Sequence, residues 1–295
     1  MWIVFAVISS LSLGFYDVFK KRALEGNNVY MVLFLNTVLC SLFMSPVLFA
    51  MVGGGDSPYG RLTWADHQLI MLKSVIVTAS WLLGYWVIKK LPLTITGSIN
   101  ALRPVLVLTG ALVLFGEHPN TLQWVGIVLG FVSLAWVGFI GSHEGLSQSS
   151  RRWMLLGLVS VVLWAISGLY DKFLLERFTP LAVEAWYSFY QLVIMAVLVT
   201  VLLQRRHRAD RDPFAWRWSV LFISVFIALA DLSYFMALSV PGSLVGVVSM
   251  TRRGSAIVSF FYGIFILRER NLKLKVVDLL ILSAGVACLI VGSLN

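Results

Sequence analysis

Residues 13–19 read LGFYDVF and residues 167–173 read SGLYDKF. Gly14, Tyr16, Asp17 and Phe19 fall on Gly168, Tyr170, Asp171 and Phe173 at a constant offset of 154. An internal repeat is read before any motif, because it decides the architecture of the whole chain. The first copy lies in an apolar run that begins at Trp2 and reaches Asp17 before its lysines. An acid at that depth is costly in hydrocarbon and is a functional candidate by default.

Outward from this pair the repeat continues. GYWVIKKLPLTITGSINALRPV at 84–105 lines up with SYFMALSVPGSLVGVVSMTRRG at 233–254, which sets Tyr85 on Tyr234, Pro92 on Pro241 and Arg103 on Arg252. LFGEHPN at 114–120 then meets ILRERN at 266–271 after a three-residue gap. Apolar runs of spanning length recur at 2–19, 29–52, 69–88, 93–115, 121–140, 154–175, 181–203, 218–239, 244–267 and 274–294. Each is long enough for a helix to cross about 30 Å of hydrocarbon. The expected fold is an all-α membrane protein of ten transmembrane helices, with one five-helix repeat in 1–150 and a second in 151–295. An odd number of spans per repeat inverts the second copy in the bilayer, which is the architecture of secondary transporters.

Composition agrees with a chain that lives in lipid. Of 295 residues, 59% are hydrophobic and 13% charged, outside the soluble range. The net charge of +9 does not gather into a nucleic-acid-binding domain. Sixteen cations, from Lys20, Lys21 and Arg22 to Lys273 and Lys275, fall between alternate spans, whereas the other side holds only Arg61, Lys73, Lys172 and Arg177. The positive-inside rule puts the sixteen in the cytoplasm and both termini outside the cytoplasmic membrane. Trp2, Trp64, Trp153, Trp216 and Trp218 near span ends fit an aromatic belt. Cys40 and Cys288 lie inside spans and read as packing residues; the first apolar run, lacking a basic lead or a cleavage site, reads as helix 1. His67, His118, His143 and His207 are scattered, and no nucleophile elbow or phosphate loop is present, so no enzyme, metal or cofactor is expected.

Three cations remain inside spans: Arg103, Arg252 and Arg253. In an inverted repeat, Arg103 and Arg252 approach one central space, and a guanidinium offers a planar fork to carboxylate or phosphate oxygens. The plain alternative is that Asp17, Asp171, Glu184 and Asp231 neutralise them as structural pairs. Neighbours on a helix point about 100° apart, so Arg252 and Arg253 do not share one narrow site. Asp17 with Tyr16, and Asp171 with Tyr170, read as gating latches, as proton-coupling carboxyls, or as acids paired locally with Lys20, Lys21 or Lys172, and Asp231 and Glu184 join them as gating or coupling candidates. Trp81 with Tyr85, and Asp231 with Tyr234, share helix faces, while Asn36, Asn100, Gln191 and Ser249 add polar groups at membrane depth. GIVLG at 126–130 is a GxxxG that permits close packing of helices, within the chain or in a homodimer.

RPVLVLTGALVLFGEHPNTLQWVGIVLG at 103–130 resembles the helix 4 to helix 5 signature of EamA-like transporters, the ten-helix branch of the drug/metabolite transporter superfamily. Its elements are the early proline Pro104, the turn Phe115-Gly116-Glu117, Pro119, Gln123 and Gly126. The resemblance covers the whole chain in two copies, and the partners it implies are a lipid bilayer and a small-molecule substrate. That family spans amino acids, sugars, nucleotide-sugars, phosphorylated metabolites and lipid-linked groups, and its members are described with cytoplasmic termini, opposite to the charge bias here. Arg253 stands where the repeat carries Pro104, and the Arg252-Arg253 pair is similar to the basic pair of the phosphate-translocator branch. The expected function is alternating-access transport of a small organic anion or phosphorylated metabolite. Alternatives are an exporter of amino acids or other neutral or cationic metabolites, or a flippase for a lipid-linked phosphate.

Overall fold

The computed structural model describes residues 1–52, 62–90, 99, 102–141, 150–205, 214–255, 257–258 and 272–294. Ten α-helices are described: α1 (Trp2–Leu24), α2 (Val29–Val52), α3 (Trp64–Lys90), α4 (Leu102–Leu114), α5 (Thr121–Gly141), α6 (Ser150–Leu175), α7 (Pro180–Arg205), α8 (Trp218–Ser239), α9 (Val245–Thr251) and α10 (Leu272–Leu294). Among the described residues six are long and apolar enough to cross a membrane, namely α1, α2, α3, α6, α7 and α8. The early part of the expected span 93–115 and the late part of 244–267 lie outside the described residues.

Helix ends run past the apolar runs where long charged side chains follow. α1 continues through Lys20 and Arg22 to Leu24, and α3 starts at Trp64, ahead of the expected 69. Lysine and arginine are good helix formers whose stems lie along apolar surface, so the first charge ends the apolar run and not the helix.

The helices turn apolar stripes outward and mix polar side chains among the apolar ones within. Val4, Ile8, Leu11 and Phe15 form an exposed stripe on α1, as do Leu155, Val159, Val162 and Ile166 on α6. Spacings of three and four place each set on one helix face, a lipid-facing surface for a helix whose backbone is satisfied internally. Ser9, Ser10, Asn36, Ser74, Thr78, Ser160 and Gln191 are buried instead.

Packing comes in reciprocal pairs. α1 lies on α8 and α3 on α6; α2 lies on α7, α4 on α9, and α5 on α10. Exchanging each helix of 1–141 with its ordinal partner in 150–294 turns this set of contacts into itself. On α1 and α8, Phe15 stacks on Phe226 at 5.2 Å and Phe19 on Phe222 at 4.9 Å. The GxxxG of α5 is used inside the chain: a Cβ on Gly126 would lie 2.7 Å from the Gly285 carbonyl of α10.

Two local breaks position the polar groups. Gly116, at φ 59°, ends α4 in the left-handed conformation, and the Glu117 N–H returns to the Ala111 carbonyl at 3.4 Å. This delivers the Glu117 carboxylate to the start of α9, where it accepts hydrogen bonds from the Val245 N–H and, at 3.0 Å, the Gly246 N–H. Burial pushes the Glu117 carboxyl above its ordinary range, and those two donors oppose the shift. After Thr251, α9 tightens into a 3₁₀ turn over Arg252–Gly254. Such a turn inside a helical stretch often marks a functional hinge.

Candidate functional site

A cavity of about 240 Å³ lies among α1, α3, α4, α6, α7, α8 and the 3₁₀ turn. Four basic side chains, Lys20, Lys73, Arg103 and Arg252, and three acids, Asp17, Asp171 and Asp231, line it together with Tyr16, Trp81, Trp164, Ser167, Tyr187, Tyr234 and Phe235. Asp17 is exposed to its open space and Lys20 is half-buried, whereas Lys73, Asp171, Tyr187 and Phe235 are all buried. The cavity is therefore reached from the end where α1 carries its lysines, and it is shut at the end of the 176–179 and 240–244 links.

The shut end is held by charge and aromatic contact. Lys73 donates to Asp171 Oδ1, and its ammonium lies 4.5 Å from the Tyr187 ring centroid and 4.6 Å from that of Phe235. Both partners are under a tenth exposed, so the pair stands only because its hydrogen bond and aromatic neighbours replace water. Next to it, Arg252 Nη2 donates to Asp231 Oδ1 at 3.0 Å, and the guanidinium stacks on Tyr234 at 4.3 Å. The Ser10 hydroxyl approaches the Arg252 carbonyl at 3.5 Å, which ties α1 to the 3₁₀ turn.

Arg103 stands apart from these pairs. Its guanidinium lies 5.2 Å from the Trp164 ring, its buried Nε has no hydrogen-bond partner, and it makes no ion pair among the described residues. Asp17 likewise makes no ion pair among the described residues, although the charges of Lys20 and Arg103 reach it across the cavity. One cation and one acid thus line the same space without a direct ion-pair partner among the described residues.

Of the residues singled out in the sequence, Arg103, Arg252, Trp81, Tyr234, Asp17, Tyr16, Asp171 and Asp231 line this cavity. Arg253 is half-buried and outside the lining. Ser249 is buried behind Tyr234, and Tyr170 instead donates its hydroxyl to the Leu69 carbonyl at 3.2 Å. Glu184 is buried on α7, behind the wall. Asn100 and the Tyr85 side chain lie outside the described residues.

The local-pairing alternative fails for Asp171. Its cation is Lys73 from another helix, while Lys172 donates to the Leu238 carbonyl at 3.0 Å and the Ser243 hydroxyl at 2.9 Å. Successive residues of α6 point about 100° apart, so Asp171 and Lys172 diverge. Lys73 falls with the loop cations in the count by side yet is a fourth cation inside a span, and a buried one; its place inside the apolar run 69–88 was the available signal. Trp164 and Tyr187 gave none beyond facing inward on their helices.

The fold is found elsewhere. A solved structure described only as "Crystal structure of protein" superposes with a TM-score of 0.73 at 12% identity, over 97% of this chain and 95% of that one. At that identity the likeness concerns the fold alone. No curated protein matches the chain by sequence. The family model described as "EamA-like transporter family" matches twice, over residues 1–139 and 151–291, so each half carries one copy. The chain is a multi-pass membrane protein, and it belongs to the EamA-like transporter family.

Proposed function

We propose that this chain is a secondary transporter in which two inverted five-helix halves alternate access to the cavity, and that its cargo is a small organic acid. The cargo's carboxylate or phosphate meets the Arg103 guanidinium. The observation that carries this reading is that Arg252 already has Asp231, whereas Arg103 makes no ion pair among the described residues. A buried guanidinium without an anion is costly, and a substrate anion removes that cost. The reciprocal packing of the helices supports the inverted halves, since a two-fold relation demands it. A cavity of about 240 Å³ is just below the usual range for ligand pockets, which favours a small metabolite. With the lysine-rich face in the cytoplasm of the cytoplasmic membrane, the cavity opens inward.

Asp17 favours a second reading of the cargo. An unpaired carboxylate facing the same space suits an ammonium group, so a zwitterion would satisfy both residues where a dianion would meet repulsion.

The test is thermal unfolding of the purified protein against inorganic phosphate, small mono- and dicarboxylates, neutral amino acids and ammonium. A ligand at a hundred times its Kd adds about 2.7 kcal/mol to stability. Anions are expected to stabilise the wild type and to lose their effect in Arg103→Gln. A zwitterionic cargo loses it in Asp17→Asn as well. Stabilisation by neutral or cationic compounds alone, unchanged in Arg103→Gln, sinks the reading.

A further inference from the structure

Glu184 takes no part in the cavity lining. It is 2% exposed, its Oε2 has no hydrogen-bond partner, and it forms no ion pair among the described residues. The charged and titratable groups whose charges reach it are Lys73 of α3, Asp171 of α6, Asp231 of α8, Arg252 of the 3₁₀ turn, Cys40 of α2 and Tyr187 of α7 itself. This cluster holds three carboxyls and two cations. Both cations are already taken, Lys73 by Asp171 and Arg252 by Asp231. Glu184 is the odd acid of an otherwise balanced cluster, and its own burial leaves an ionised carboxylate there without water and, among the described residues, without a counter-ion.

We propose that Glu184 is a proton-binding site of the transport cycle: it holds a proton while the Lys73 end of the cavity is shut and releases it when that end opens. The proposal rests on the alternating-access reading above. In this cycle, opening that end parts Lys73 of α3 from Asp171 of α6. Asp171 is then solvated by the entering water, and Lys73 is free to pair with Glu184. The O–H bond of the Glu184 carboxyl breaks, its electron pair stays on the oxygen, and the proton leaves to water on that face. Closing reverses each step, so acid on that face holds the end shut.

The experiment is infrared spectroscopy of the full-length protein in detergent, which needs no transport and so stands if the cargo reading falls. The wild type at neutral pH is expected to show a protonated-carboxyl stretch that shifts in D₂O and is lost in Glu184→Gln. In Asp171→Asn, where Lys73 has lost its acid, the Glu184 band is expected to disappear. If that variant does not fold, Lys73→Gln serves: the Glu184 band stays and a second one, from Asp171, joins it. A wild type without the band, or a band that survives Glu184→Gln at full strength, overturns the proton site. A Glu184 band that persists in a folded Asp171→Asn, or a Lys73→Gln protein with no added band, overturns the exchange of lysine partners.

Discussion

Lys73 and Asp171 illustrate how a buried ion pair is read. Its formation contributes little net stability, since desolvation of two ions offsets their attraction, but removal of one member leaves a bare charge inside. Lys73→Gln, which leaves Asp171 without its cation, is therefore expected to lose about 3–5 kcal/mol of stability. The double replacement Lys73→Met with Asp171→Leu is expected to regain most of it. Unfolding midpoints of the three proteins in one detergent check this, and a single variant as stable as the wild type contradicts it. At this scale the sequence was informative about residue types and silent about partners. The three arginines and four acids within apolar runs could be named. That Arg252 has Asp231, Asp171 has Lys73, and Arg103 lies over Trp164 depends on contacts between helices distant in sequence. Lys73 escaped because a count of cations by side treats a lysine five residues inside an apolar run as if it lay in the loop.

Among the elements, the two copies of the opening motif do not serve the same packing role. A Cβ on Gly14 would lie 2.5 Å from Val258 Cβ and 2.8 Å from the Ser255 carbonyl, just past the 3₁₀ turn. On Gly168 the nearest atom would be the Tyr234 hydroxyl at 3.5 Å, an ordinary contact. Gly14→Ala is expected to cost about 1–3 kcal/mol by forcing α1 away from the hinge, because backbone and a β-branched residue cannot yield as a flexible side chain does. Gly168→Ala is expected to leave stability unchanged or slightly raised, since alanine is the better helix former. Unfolding of the pair side by side is the check, and equal losses would show that close approach is not the reason for the first glycine. The elements themselves were legible in the sequence: α2 occupies the apolar run 29–52, and α8 the run 218–239. What the run lengths could not convey is that α9 gives way to a 3₁₀ turn at Arg252, since the four residues before that point, Val248 to Thr251, include no proline or glycine.

For the whole molecule, the charge bias makes a definite statement about orientation. Glu25 lies in the α1–α2 link at the lysine-rich end, and Glu176 lies in the α6–α7 link at the other. With Cys40 and Cys288 replaced by alanine, Glu176→Cys is expected to react with a membrane-impermeant maleimide on intact cells. Glu25→Cys is expected to react only after permeabilisation. The reverse pattern would turn the protein over and make the cavity of this conformation an outward-facing one.

The contacts made by the α4–α5 link bear on how such a molecule can move. Glu117 holds the start of α9, Asn120 Nδ2 donates to the Gly292 carbonyl, and Gln123 Nε2 donates to the Ser293 hydroxyl at 3.2 Å. Both halves are thus stitched together through α4, α5, α9 and α10 at the end where the cavity is shut. Mechanically, those four helices make a door frame, and α1 to α3 with α6 to α8 are the leaves hung on it. In the proposed alternating cycle, a stroke that opens the shut end swings the leaves while the frame stays put, so bending of the 3₁₀ turn at Arg252–Gly254 would set how wide the doorway becomes.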